Sequence, residues 1–191
     1  MKFFSDPVLE AMATRRSVSK VGPGTPSDAE LAELLAAVTS VADHKALRPW
    51  RLLLLRGEDR RALGDALDAA GGVVREPGEH NPKPFRAELL IAIVASPTEH
   101  PKVPRWEQLA VAAGAGHLLE LALWQAGWGV MWRTGVLADS DEVRAAHGLA
   151  ETEQLMGWLY VGSIDESFRR RLQTSRRPAL DPHQFLGRMP R

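Results

Sequence analysis

The chain contains no cysteine. That excludes a disulfide framework, a thiolate zinc site, cysteine-ligated iron–sulfur chemistry and a cysteine nucleophile. It also lacks an excess of charge, since 24 Lys+Arg stand against 24 Asp+Glu with the six histidines counted neutral. A balanced total removes the long-range basic field on which non-specific nucleic-acid binding depends, although Arg169, Arg170 and Arg171, and then Arg176 and Arg177, form local basic runs. Long apolar runs are missing as well. The least polar stretch, residues 109–124, is interrupted by His117 and Glu120, and it falls short of the roughly 18–20 apolar residues that span a bilayer. The opening apolar residues give way at Ser5-Asp6-Pro7, too soon for the core of a secretory signal. The expectation is a cytoplasmic protein with neither a membrane nor a nucleic-acid partner.

The usual catalytic signatures are absent too. The sequence holds no Gly-x-Ser-x-Gly elbow, no His-Glu-x-x-His helix and no Walker loop, and Gly127-Trp128-Gly129-Val130-Met131-Trp132 puts tryptophan where a dinucleotide fingerprint needs its third glycine. His44, His80, His100, His117, His147 and His183 occur singly, without the helical spacing that makes paired metal ligands. No metal is expected.

What is present is enough for one packed domain: 191 residues, 45% of them hydrophobic. Asp6 and Pro7 read as the cap and first residue of a short helix ending near Arg15. Ser27-Asp28-Ala29-Glu30 is a capping box opening a second helix to about Val38. Residues 50–56 and 88–95 are short and almost continuously apolar, the pattern of central strands covered on both faces. Between them Ala62, Leu63, Ala66, Leu67 and Ala70 recur at helical spacing, and residues 71–84, rich in glycine, proline and charge, read as a surface loop. A long helix follows over 107–125, then strands over 129–134 and 155–161 with a short helix opening at Asp139-Ser140-Asp141-Glu142. The alternation lacks a strict β-α-β rhythm, so the fold class is mixed α+β. Residues 168–191, arginine-rich and broken by proline, form a C-terminal arm or tail of the single domain 1–191.

Three clusters combine arginine with hydroxyl, imidazole or indole at the edge of an element. Arg15-Arg16-Ser17 ends the first helix. Arginine there suits the helix dipole and needs no other role, yet two guanidiniums beside a hydroxyl also match a phosphate. Asp43-His44-Lys45-Ala46-Leu47-Arg48-Pro49-Trp50 is a polar loop at a strand mouth, serving either as a plain connection or as a mount for ligand groups. Met131-Trp132-Arg133-Thr134-Gly135 ends another strand; alternation sends Trp132 and Thr134 to one face and Arg133 to the other.

These three segments stand in order with Pro84-Phe85-Arg86-Ala87, Lys102-Val103-Pro104-Arg105-Trp106-Glu107-Gln108 and Gly157-Trp158-Leu159-Tyr160-Val161-Gly162. In that order, from Arg15 to Gly162, the chain resembles the compact flavin-dependent nitroreductases. The resemblance implies a homodimer of α+β sandwiches, each with a mainly antiparallel or mixed central sheet flanked by helices. It further implies FMN at each subunit interface, hydride from NADH or NADPH, and a nitroaromatic, quinone or similar small-molecule acceptor in a ping-pong cycle. Arg15, Arg16 and Ser17 match the first flavin-binding segment of that family, and Trp132, Arg133 and Thr134 the last. His44, with Ser40 four residues earlier, matches positions that reach the flavin from the other subunit. The flavin carries the hydride, so no catalytic side chain is required, and the same motifs would serve an FMN-storing or redox-sensing protein. Two segments depart from the family pattern: Ser40-Val41-Ala42-Asp43-His44 replaces an Ala-Pro-Asp-His run, and Pro101 is inserted ahead of the Lys102–Gln108 motif, to which the sequence assigns no role beyond opening the long helix.

Overall fold

The computed structural model describes residues 6–174 and 180–189. Four strands form one antiparallel sheet in the order β1-β2-β4-β3: β1 is Trp50–Leu55, β2 Leu89–Ala95, β3 Trp128–Arg133 and β4 Gln154–Ser163. All seven residues of β2 are buried, and their alternation feeds two cores. Leu89, Ile91 and Ile93 face one cluster, closed by Leu31 from α2 (Asp28–Val38) and Leu119 and Leu123 from α4 (Arg105–Gln125). Leu90, Ala92 and Val94 face the other, closed by Leu63 from α3 (Glu58–Ala70) and Val143 from α5 (Asp141–Ala146). This is the α+β sandwich that the alternation of apolar runs calls for.

The first helix, α1 (Pro7–Thr14), starts where Asp6 accepts the amides of Val8 and Leu9, and the capping box of α2 forms with Ser27 and Glu30 bonded reciprocally. Two sequence expectations need correction. The apolar run over 50–56 predicts a central strand, whereas β1 lies at the edge of this chain's sheet, with Leu54 exposed. The run reflects packing on both faces, Leu52 against one core and Leu53 and Leu55 against the other, which does not require a second strand neighbour. The 71–84 segment is not simply a surface loop. Asn81 is buried and donates to buried Asp68 at 2.7 Å, while Arg75 grips the same carboxylate in bidentate fashion and holds its pKa below the usual carboxylate value. A loop that brings its own counter-charges can thus be anchored in a low-dielectric site.

Residues 166–174 form α6 (Glu166–Thr174), and Pro182–Phe185 makes a single 3-10 turn. The expected arm over 168–191 falls partly outside the described residues, as do Arg176 and Arg177 and the first five residues. Among the described residues no helix is long and apolar enough to cross a membrane.

The sheet is irregular at one point, where β4 passes the end of β3. Opposite Ile93 and Val94, β4 pairs through Gly157 and Leu155, so Met156 is an extra residue and the strand bulges there. Gly157 takes φ +112°, and a β-carbon on it would lie 2.5 Å from the Arg133 carbonyl oxygen. Only glycine lets the end of β3 approach so closely.

Candidate functional site

The bulge and the end of β3 together aim three side chains. The indole of Trp132 turns toward α4 and donates to the Met156 carbonyl at 3.0 Å, the acceptor that the bulge sets free. Its ring lies 4.8 Å from that of His117, and Gly116 gives it room, because a β-carbon there would meet Trp132 at 2.6 Å. Arg133 takes the opposite face, as strand alternation requires. Its guanidinium sits 5.2 Å from the Tyr160 ring and donates to the Ser19 carbonyl at 3.0 Å, but its Nε is buried and has no hydrogen-bond partner among the described residues. Thr134 follows the strand and is exposed.

Beside Arg133 opens a cavity of about 460 Å³ whose walls include Lys83, Arg86, Trp132, Thr134 and Tyr160. Lys83 and Arg86 therefore join Arg133 around one concavity. Burial pushes the Tyr160 phenol up, while Arg133 and Arg86 pull it the other way, which registers two positive charges close to its hydroxyl. Sequence reasoning does not single out Lys83 or Arg86 as site residues. The signal for them is the Pro84-Phe85-Arg86-Ala87 motif, to which no role attaches without the fold.

At the end of α1 the two arginines separate in function. Arg16 donates to the carbonyls of Ala13, Thr14 and Arg15 at 3.1, 3.0 and 3.0 Å, the helix-end role that its position alone suggests. Arg15 instead reaches across to α4. Its Nη1 lies 3.1 Å from Glu120 Oε1 and 3.4 Å from Ser17 Oγ. Glu120 is 5% exposed, so the pair sits at the margin of the core, and His117 Nδ1 stands 3.8 Å from the second Glu120 oxygen.

Ser40 and His44 lie elsewhere. Ser40 borders an apolar groove of about 490 Å³ between α1, α2 and α4, whose lining includes Val8, Ala11, Leu34, Leu118 and Leu121. His44 is exposed, and its Nδ1 is 3.0 Å from Glu107 Oε1; a carboxylate can only accept, so this nitrogen carries the proton. Lys45, Ala46 and Arg48 all have positive φ, and Asp43 holds the strained loop by accepting the amides of Leu47 at 3.2 Å and Arg48 at 2.7 Å. Glu107 and Glu120 mark the two ends of the site region on α4, and thirteen residues of helix separate them by about 20 Å. Within one chain the structure joins Arg15, Ser17 and Trp132 through α4, places Arg133 and Thr134 beside them at the end of β3, and leaves Ser40 and His44 apart.

The Lys102–Gln108 motif has a physical role in this setting. Gln108, 1% exposed, accepts from the Thr98 amide at 2.9 Å and donates to the carbonyls of Thr98 and Val103 at 2.8 and 3.1 Å, stapling the loop that carries Pro101 to the start of α4. Arg105 ties the same end to the Thr152 carbonyl at 2.9 Å, and Glu107 holds His44. Among the described residues no cluster of three or more histidine or carboxylate side chains could hold a metal ion.

A sheet flanked by two helical layers is a fold shared with known proteins. The model of the nitroreductase family matches residues 12–163, and the chain belongs to that family. It is 36% identical over 159 residues to the "Putative NAD(P)H nitroreductase YdjA" of Escherichia coli (strain K12), covering 81% of this chain and 87% of that one. A Haemophilus influenzae relative of similar name is 28% identical over 169 residues, covering 85% and 91%. Among solved structures, a nitroreductase-like family protein from Bacillus cereus superposes with a TM-score of 0.76 at 21% identity, covering 95% of each chain. The FMN-dependent nitroreductase NfnB from Mycobacterium smegmatis, solved in complex with NADPH, does so with a TM-score of 0.70 at 16% identity, covering 98% and 100%.

Proposed function

We propose that the chain is an FMN-dependent oxidoreductase that takes hydride from NADH or NADPH and reduces a nitroaromatic, quinone or similar small acceptor by a ping-pong route. It works as a cytoplasmic homodimer with FMN at each subunit interface. The observation that carries this reading is the split donor set around the end of β3. On one side Arg15 and Ser17 converge within 3.4 Å of each other; on the other, Arg133, whose buried Nε has no hydrogen-bond partner among the described residues, lines a cavity edged by Lys83 and Arg86. A phosphate at one end and a flat ring system that gains negative charge on reduction at the other fit those two halves. The curated relatives named as NAD(P)H nitroreductases, and a structural neighbour described as FMN-dependent and holding NADPH, agree with it.

When bound, FMN supplies the redox chemistry, taking hydride from the nicotinamide and delivering it to the acceptor. The protein's part is to bind, orient and balance charge. Arg15 and Ser17 hold the phosphate; Arg133, Lys83 and Arg86 offset negative charge on the ring system; Trp132 and Thr134 form its wall. Donor and acceptor would use the open side of the cavity beside β3 in turn, a reading that supports ping-pong order.

What one chain leaves uncovered supports the dimer. Val8 is 61% and Leu118 36% exposed around the apolar groove, Met12 of the same helix α1 is 55% exposed, and α4 presents Ala110 and Leu118 outward, small or apolar residues that suit close helix packing. A two-fold axis across α4 runs the two copies of the helix antiparallel. The His44–Glu107 end of one protomer would then meet the His117–Glu120 end of its partner, an arrangement that supports the reading of His44, with Ser40 on the segment before it, as contributors to the partner's flavin site.

The test is an absorbance spectrum of the purified protein, followed by anaerobic NADH and NADPH in turn. Yellow protein that releases FMN on denaturation and bleaches with a nicotinamide supports a reductase. Protein that binds FMN and never bleaches favours storage or redox sensing, and protein that cannot be loaded with FMN overturns the reading.

A further inference from the structure

Glu120 is an odd neighbour for a phosphate site. Its carboxylate is 5% exposed and stands 3.1 Å from Arg15, the guanidinium assigned to the phosphate. A dianionic phosphate arriving at Arg15 would share that cation with a buried anion, and in a poorly solvated place two such negative charges repel strongly. The arrangement contains its own relief. His117, one helical turn before Glu120, has Nδ1 3.8 Å from the free carboxylate oxygen and its ring against Trp132 at 4.8 Å. An imidazolium there would pair with Glu120 and lie near an indole face that favours a cation. Among the described residues the charged groups at ion-pairing distance from Glu120 are these two: Arg15 from the segment after α1 and His117 from α4 itself, while β3 contributes the uncharged Trp132.

We infer that binding of the FMN phosphate is coupled to uptake of a proton by His117, with Glu120 passing from Arg15 to the imidazolium as Arg15 turns to the phosphate. The inference rests on the reading of Arg15 and Ser17 as the phosphate seat. Histidine is the side chain whose charge changes most readily near neutrality, which makes it suited to such a coupling. Cofactor retention then weakens as pH rises above neutral.

The experiment is calorimetric titration of the full chain, freed of flavin, with FMN and separately with riboflavin, which lacks the phosphate. It is run at about pH 8, where a phosphate monoester is already fully ionised because its second pKa is about 6. Repeating it in Tris and in HEPES, whose protonation heats differ, counts protons. The wild type is expected to take up a measurable fraction of a proton per FMN and none with riboflavin. Glu120→Gln and His117→Gln should each abolish the uptake and flatten the pH dependence of FMN affinity. His117 is exposed, so its variant remains informative if Glu120→Gln does not fold. FMN binding much tighter than riboflavin but with no proton uptake overturns the coupling alone. Uptake that survives in His117→Gln overturns the assignment to the imidazole. FMN and riboflavin binding alike overturns the phosphate seat, and the coupling with it.

Discussion

The indole N–H of Trp158 donates to His147 Nε2 at 3.0 Å, and the other ring nitrogen of His147 lies 2.7 Å from the Val143 carbonyl. This buried imidazole is therefore held neutral, with its proton on Nδ1, and burial pushes its pKa below the ordinary 6.5. In the unfolded chain the same ring is free to charge. The folded state binds fewer protons just below 6.5, so the contribution of His147 is complete above that value and is lost as pH falls through the lowered folded value. Thermal midpoints measured from neutral pH downward should begin to fall near pH 6.5, and His147→Gln should remove that first slope. A wild-type midpoint flat across this range would refute the assignment.

A second acid step belongs to Glu153. Its carboxylate takes two hydrogen bonds from Arg51, at 2.7 and 2.8 Å, plus one from the Ser96 hydroxyl at 2.6 Å and one from the Ala150 amide at 3.0 Å. Arg51 foremost lowers its pKa from 4.5 to about 2. The stabilisation is whole above 4.5 and is lost as pH falls toward about 2. Glu153→Gln keeps the shape but gives up the charge-assisted bonds, and should cost about 2 kcal/mol in urea unfolding at neutral pH while removing the stability slope below pH 4.5.

The first of these relationships is invisible in the sequence, and the reason is general. Helix and strand positions follow from local signals: the Asp6 and Ser27 caps, the apolar runs of β1 and β2, and the spacing along α3 all come out where capping and periodicity put them. Arg15, Ser17, Trp132, Arg133 and Thr134 can be named because their segments have a familiar order, but that order does not reveal which way a side chain turns. It therefore does not separate Arg15, which crosses to Glu120, from Arg16, which folds back on α1. Glu120 and His117 read only as interruptions of an apolar helix. Their meaning depends on α1 ending beside α4, a contact between residues 105 positions apart. Likewise β1 reads as central because both of its faces pack, whereas sheet order is set by pairings that periodicity does not encode.

The β4 bulge tests how the sheet holds the site. At Gly157 a β-carbon would lie 2.8 Å from both Thr134 Cγ2 and Trp132 Nε1, and φ is +112°. Gly157→Ala should destabilise the fold by about 1–3 kcal/mol and also weaken FMN retention, because the displaced atoms are those of the candidate site. Loss of stability with FMN affinity unchanged would mean that the bulge supports the sheet only.

The two arginines at the end of α1 predict opposite results. Arg15→Ala removes a guanidinium aimed at the proposed phosphate seat; a charged hydrogen bond contributes about 1.5–3 kcal/mol, so FMN affinity should fall roughly 10- to 100-fold. Arg16→Ala removes a side chain bonded to helix-end carbonyls. Its effect should be a loss of stability of about 0.3–1 kcal/mol with FMN affinity largely retained. Flavin fluorescence titration of both variants separates the roles, and equal losses of affinity would return Arg16 to the binding set.

Placing a charge on the outer face of α4 tests the dimer and the flavin site together. Leu118 is 36% exposed and borders the groove between α1, α2 and α4, while Ala115, Leu119 and Leu123 of that helix join the core against the sheet. Leu118→Glu therefore leaves the chain's own core untouched and should fold with little change in stability as a single chain. At a two-fold interface built on α4 the new carboxylate would enter an apolar contact twice, once from each copy, and burying unpaired charge costs far more than the lost leucine contacts. Light scattering should find a monomer where the wild type is a dimer. If Ser40 and His44 complete the partner's site, FMN should leave in the same step. A monomeric Leu118→Glu protein that keeps FMN at wild-type affinity would show that one chain holds the whole binding site, and the roles of Ser40 and His44 would then fall.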